Sequence, residues 1–338
     1  MGVPVHFPSG GALTVLSGAI LCAGISIGGA RAAQSTGTSL YPNKPIRIVV
    51  PFSAGGNIDL TARTIAPGLS QALGQPVVID NRGGAGGRIG TSLAAKSPAD
   101  GYTLLVGADG TLVIQPTFND SADYQALRDF VFTAPISLTP GVAVVHPSLP
   151  VRNVRDLISL ANAQPASLLM ASPGQGSAGH LTGELFQAMA KVKFVHVPYK
   201  GGGAASVDLI GGQVVLGFSP LSTLLTFIQS NKLRAIGITT RTRSVHLPSV
   251  PTIDESGVPG FESSTLTVLA LPAATPTDVV GKVRSALLVV LEQPGVREIF
   301  EKSGGELAKG THGEYARRLE GELVKWRRIR QETGIRVD

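Results

Sequence analysis

A single cysteine, Cys22, and a single tryptophan serve 338 residues, and that scarcity removes several chemistries at once. Cys22 lies in an apolar run near the N-terminus, so a chain processed past that run has no disulfide, no thiol nucleophile and no cysteine-held metal. Aromatic residues are only 5%, and no nucleic-acid-binding motif stands beside the basic excess, which argues against a nucleic-acid partner. Charge is also thin, at 15% of residues, and the net +6 is concentrated in residues 317–336. There Glu320, Glu322 and Glu332 interleave with the bases, as on a solvated helix face. No internal repeat is visible, and beyond the N-terminal run no segment reaches the roughly eighteen apolar residues of a membrane span.

What is abundant is glycine and proline, 42 and 23 residues, scattered among apolar runs in a chain that is 43% hydrophobic. They punctuate short elements, and the length suffices for two cores of about one to two hundred residues each. Residues 10–30 form an uncharged apolar and small-residue run ending in Ala30-Arg31-Ala32, the small-x-small pattern of a cleavage site. This predicts a signal peptide over residues 1–32, a mature chain starting at Ala33, and export to the periplasm. Ala19-Ile20-Leu21 lacks the small residue that precedes a lipidated cysteine, so Cys22 does not read as a lipoprotein anchor.

From Tyr41 onward strand and helix patterns alternate. Strands are expected at 46–50, 77–80 and 102–106, with helices at 60–73 and 89–96. A second set has helices at 154–163, 181–190, 204–210 and 221–229, and strands at 168–171, 194–197, 214–218 and 233–238. Such alternation implies a parallel sheet covered on both faces, here twice. Extended runs at 142–146 and 266–271 are the natural crossings between two α/β domains, 41–146 plus 265–338 and 147–264. Helices at 277–292, 296–303 and 313–332 are expected to pack on the first domain.

Two loops carry the chemistry. IRIVVPFSAGGNID, residues 46–59, is a strand that breaks at Pro51 into a Gly-Gly turn and restarts as a helix, placing backbone N–H groups where anions bind well. SPGQGSAGH, residues 172–180, repeats the arrangement. Gly55 and Gly56 serve either a tight turn or the close approach of a ligand. Asp59 reads as a cap or loop brace, Ser177 as a donor or a helix cap, and His180 as a hydrogen-bonding residue beneath the loop. The glycines of residues 81–87 miss the dinucleotide spacing because Ile89 stands where the last glycine is needed. The segment Gln175-Gly176-Ser177-Ala178-Gly179 approaches a hydrolase nucleophile elbow but lacks its first glycine, and His180 follows too closely on one helix to serve as base. No enzyme activity, cofactor or metal is expected.

The ordered motifs PIRIVVPFSAGGNIDLTAR (45–63), GQPVVIDNRGGAGGRIG (74–90), DGYTLLVG (100–107), SPGQGSAGHLTGELF (172–186), HVPYKGGGAA (196–205), DLIGGQV (208–214) and LPSVPTIDESGVPGFE (247–262) resemble the Bug family. These are extracytoplasmic solute-binding receptors of tripartite tricarboxylate transporters. The resemblance implies a periplasmic-binding-protein type II-like α/β fold and a monomer that closes on a small carboxylate or amino-acid-like ligand. It also implies membrane subunits of such a transporter as partners; a sensor partner would show the same residues. Carried over by position, the first loop supplies Phe52, Ser53, Ala54, Gly55, Gly56, Asn57, Ile58 and Asp59. The second supplies Gly174, Gln175, Gly176, Ser177 and His180, and Thr111 and Ser219 stand at pocket positions.

The chain departs from the family pattern at Ile58, where a small or hydroxyl residue is usual, and at Leu112 and Gln115, which replace frequent His and Asn. Ser219 and Pro220 replace an Asp-Asn pair, and Leu266 a frequent Trp. Asp109 stands where the family carries a neutral hydroxyl residue, and a cleft-facing Asp109 would pair with an ammonium group on a zwitterionic ligand.

Overall fold

The computed structural model describes residues 1–4, 6, 41–120 and 122–335; the rest of the expected signal peptide, with Cys22 and its cleavage site, lies outside the described residues. The strand β1 (Ile46–Val50), β-branched and buried except at Arg47, leads into α1 (Asn57–Leu73), which Gly74 terminates in the left-handed conformation. Next come β2 (Val77–Asn81), a 3-10 turn at Ala85–Gly87, α2 (Arg88–Ala95) and β3 (Thr103–Ala108). β1 pairs in parallel with both β2 and β3. A π-helical turn, Gly110–Ile114, runs into the short helix α3 (Gln115–Phe118), and α4 (Ala126–Asp129) then introduces β4 (Phe130–Val145).

The 16 residues of β4 are the spine of the fold. After β4 follow α5 (Val154–Ala163), β5 (Leu169–Ser172), α6 (Ala178–Ala190), β6 (Val195–Pro198), α7 (Gly202–Ile210), β7 (Leu216–Pro220), α8 (Leu221–Gln229) and β8 (Arg234–Ile238). The chain closes with β9 (Ser264–Pro272), α9 (Thr277–Leu291), α10 (Pro294–Lys302), β10 (Glu306–Leu307) and α11 (His312–Thr333). The strand order is β2-β1-β3-β9-β4-β7-β5-β6, with β8 and β10 both added on β4. The first part of β4 pairs antiparallel with β9, the last part with β7 and β8, so one strand belongs to two sheets. Each sheet is therefore mixed, not purely parallel as the alternation suggested: β5 lies parallel to β6 and β7, but β9 and β4 run against their neighbours.

Both sheets are covered on both faces. α1 lays Ile58, Ala62, Ile65 and Leu69 on the first sheet beside Val283, Leu287 and Val290 of α9. Gly68 permits this approach, since a Cβ there would lie 2.8 Å from Val290 Cγ2. The opposite face is filled by Leu105, Leu112, Tyr124 and Phe132 with Tyr315 and Leu319 of α11. In the second sheet α5 and α6 cover one face around Phe186 and Phe218, and α7 and α8 the other around Leu209 and Leu224. α9 and α10 pack on the first sheet as expected. α11 does not stop there: Trp326 packs edge-on against Phe118, ring centroids 5.9 Å apart, within the cluster that holds Phe186 and Phe218. Its charged face is solvated, with Arg317, Glu320, Arg327 and Arg328 exposed.

Candidate functional site

The ends of β1 and β5 deliver two loops to one place. In the first, Gly55 takes φ 87°, and Gly56 caps α1 without a side chain, so the first N–H groups of α1 have no side-chain acceptor. Asp59 braces this loop: its carboxylate accepts from Gly55 N, Arg63 Nε and Asn81 Nδ2, each at 2.9 Å. Burial pushes its pKa up, but the hydrogen bonds from Arg63, the Gly55 amide and Asn81 outweigh this and hold it below its ordinary value. Asn81 Nδ2 also reaches Phe52 O at 3.0 Å, tying the loop to the end of β2.

In the second loop Gly174 and Gly176 take φ 138° and 73°, and the Ser177 hydroxyl caps α6 by accepting from His180 N at 3.3 Å. His180 supports the loop from beneath, its Nδ1 accepting from Gly176 N at 3.1 Å and its Nε2 lying 3.6 Å from Glu184. The ring stacks on His196 at 3.7 Å, and His196 Nε2 meets Ser172 Oγ at 2.6 Å. Burial and then the neighbouring His180 lower the His196 pKa to about 4, against the pull of Glu184. Both nitrogens of His180 thus have other partners than the Ser177 hydroxyl, so these two residues do not form a nucleophile–base pair.

A third segment completes the site, and residue patterns did not single it out. Ser53 N donates to Lys200 O at 3.0 Å, and a Cβ on Gly203 would sit 2.3 Å from Ala54 O. The glycine string at 201–203 is the signal for this close approach of backbones. The N-terminus of α7 thereby joins those of α1 and α6 around a cavity of about 50 Å³.

Of the expected residues, Phe52, Gly56, Asn57, Ile58, Thr111, Ser177 and Ser219 line this cavity. Ser53, Ala54, Gly55, Asp59, Gly174, Gln175, Gly176 and His180 are not among the lining residues; they shape or brace the loops. Pro173, Ala178 and Gly179 lie in the expected second loop without having been picked individually, Pro220 was noted only as a departure, and sequence reasoning missed Ala108, Gly110, Gly202, Thr223 and Thr265 as lining residues. None of the lining residues is Asp, Glu, Lys, Arg or His. Among the departures, Ile58, Ser219 and Pro220 change the cavity wall, whereas Leu112 and Leu266 enter the core and buried Gln115 accepts from the Tyr124 hydroxyl. A larger open groove of about 1400 Å³ between residues 112–128 and α11 lies apart from these loops.

Asp109 is a correction. It is 2% exposed, and its carboxylate accepts from Gly110 N at 2.9 Å and Leu266 N at 3.3 Å, with Arg318 Nη2 on α11 at 3.9 Å. It is absent from the cavity wall. Burial first, and then the charge of Glu322, push its pKa up to about 7 despite Arg318 and the two amides.

Residues 61–335 match the tripartite tricarboxylate transporter family receptors. The chain belongs to this family. It is 36% identical to BugT of Bordetella pertussis over 315 residues, 93% of this chain and 97% of that protein. R. palustris Rpa4515, solved with adipate, superposes with a TM-score of 0.83 at 35% identity, covering 88% of this chain and 99% of that one. MatC from Rhodopseudomonas palustris, solved with bound malate, gives a TM-score of 0.83 at 28% identity, covering 86% and 99%. The receptor therefore has the periplasmic-binding-protein fold, and its family consists of solute-binding receptors, not enzymes.

Proposed function

We propose that this receptor captures a small carboxylate between two domains, 41–146 plus 265–338 and 147–264, and hands it as a monomer to membrane subunits of a tripartite tricarboxylate transporter. One observation carries the reading: the N-termini of α1, α6 and α7 converge on a cavity whose lining has no charged side chain. A helix N-terminus stabilises an anion by about 0.3–1 kcal/mol, up to about 2 when partly buried. Each hydrogen bond to a charged acceptor adds roughly 1.5–3 kcal/mol, so backbone alone can anchor a carboxylate. Adipate in Rpa4515 and malate in MatC support the ligand class.

At about 50 Å³ the cavity is well below the roughly 300–1,000 Å³ of a formed ligand pocket. A carboxylate larger than the cavity is admitted when the two sides part about β4, the strand shared by both sheets. Thermal shift and calorimetry with acetate, benzoate, succinate, adipate and malate test the reading. Saturable binding of at least one is expected, with about 2.7 kcal/mol of stabilisation at roughly a hundred times its dissociation constant. Binding of none would overturn it.

The proposal includes export, for which the motif Ala30-Arg31-Ala32 is the support. Intact-mass measurement of protein recovered from the periplasm should show a chain beginning at Ala33; full-length protein retained in the cytoplasm would sink the export proposal.

A further inference from the structure

Asn57 is the first residue of α1 and lines the cavity, yet its carboxamide is only half used. Its Oδ1 accepts from Ser222 Oγ on α8 at 2.6 Å and from Thr139 Oγ1 on β4 at 3.3 Å, while Nδ2 is buried without an acceptor. Thr223, next to Ser222, also lines the cavity and leaves its Oγ1 buried and unpartnered. The two residues are 6% and 8% exposed. Gly202 packs against both segments: a Cβ on it would be 3.3 Å from Thr223 Cγ2 and 3.8 Å from the Cα of Gly56, the residue before Asn57. Native proteins rarely leave buried donors unmatched, because water is lost and nothing replaces it. Two such groups beside the N-termini of α1 and α7 are waiting for an acceptor.

We infer that the Asn57 carboxamide is a specificity-determining donor to a ligand carboxylate oxygen, with the Thr223 hydroxyl donating to the same group, and that Ser222 is a positioning residue acting through Asn57. The inference rests on the carboxylate reading above. Ser222 and Asn57 come from helices covering different sheets, so the shorter of the two bonds that aim the donor is made only when the two sides are together. A ligand that engages Asn57 therefore favours the closed arrangement. Because the donor is neutral and no cation lines the cavity, the site should prefer a carboxylate, which accepts with both oxygens, over the corresponding primary amide, which brings donors to meet donors.

The test is calorimetry with the acetate-to-malate panel and with benzamide, succinamide and adipamide. Asn57→Asp keeps the shape and the acceptor for Ser222 and Thr139 but replaces the donor with an anionic oxygen. Carboxylate binding should weaken by about a hundredfold or more, as expected for a lost charge-assisted bond plus repulsion, while the amides lose much less. Ser222→Ala should weaken carboxylates by about tenfold with the ligand-free unfolding midpoint unchanged, and Ser222→Thr should restore binding. Should Asn57→Asp fail to fold, the Ser222 pair decides. Unchanged carboxylate affinity in Asn57→Asp, or in Ser222→Ala if the first does not fold, rejects the inference while leaving the carboxylate reading standing. Wild type that binds no member of the panel rejects both.

Discussion

At the scale of single residues, Asp109 and His196 show how burial sets proton chemistry in opposite directions. Asp109, raised from 3.8 to about 7, leaves the folded protein holding more protons than the unfolded chain between those values, so its contribution falls as pH rises through them. His196, lowered from 6.5 to about 4, leaves the unfolded chain holding more, so its contribution grows over that interval. The two slopes partly cancel in wild type, and a difference between variants is needed to see either. Asp109→Asn removes the first alone. Urea denaturation should show the variant gaining on wild type between about pH 4 and pH 8, by on the order of a few kcal/mol. A gap independent of pH would mean that Asp109 is already ionised at low pH and paired with Arg318. The location of Asp109 after β3 was legible in the sequence, but the direction of its side chain was not. That direction depends on Arg318 and Leu266, which only the folded chain brings near.

At the scale of elements, legibility tracks how local the determining signal is. α5 and α8 have the expected bounds because their patterns are complete within themselves, and α5 carries its own cap, the Asn153 side chain accepting from Asp156 N at 2.9 Å. α1 and α6 each begin three residues earlier than expected. Their first turns are Asn57-Ile58-Asp59 and Ala178-Gly179-His180, residues that read as loop but are held helical by Asp59 in one case and by the Ser177 cap in the other. That difference falls on the cavity wall itself, since those first turns present Asn57, Ile58, Ala178 and Gly179 to it. Of β4 only the last part was visible, because Pro135 and Pro140 argue against a strand. The structure accommodates Pro135 at register shifts against β9, and pairing with β9 supplies the reason for the strand. The reach of α11 to Trp326 was likewise hidden, since one tryptophan in a charged helix does not announce which core it joins.

At the scale of the molecule, β4 runs from one sheet into the other and α11 reaches to Trp326 in the second core, while loops from both sides line the cavity. A sequence motif can place those loops at one cleft, but it is silent on whether the cleft stands open or shut, because that balance depends on contacts across it. Here those contacts are largely backbone against backbone: Ser53 N on Lys200 O, and Gly203 under Ala54 O. Gly203 does not require a left-handed backbone, so alanine there is unstrained within α7 and meets trouble only across the interface, with its Cβ 2.3 Å from Ala54 O. Gly203→Ala should therefore act as a wedge against closure. Overpacking of this kind costs about 1–3 kcal/mol, and if the cost falls on the closed state alone, affinity for a panel carboxylate should drop by roughly five- to a hundredfold. The unfolding midpoint without ligand should hardly change, and small-angle scattering should give a larger radius of gyration for the variant than for wild type, reduced only at much higher ligand concentration. Gly110→Ala, whose Cβ would meet Ala178 Cβ at 2.7 Å from the other side of the cavity, should behave alike. Wild-type affinity and radius in both variants would show that the two sides do not separate along this seam.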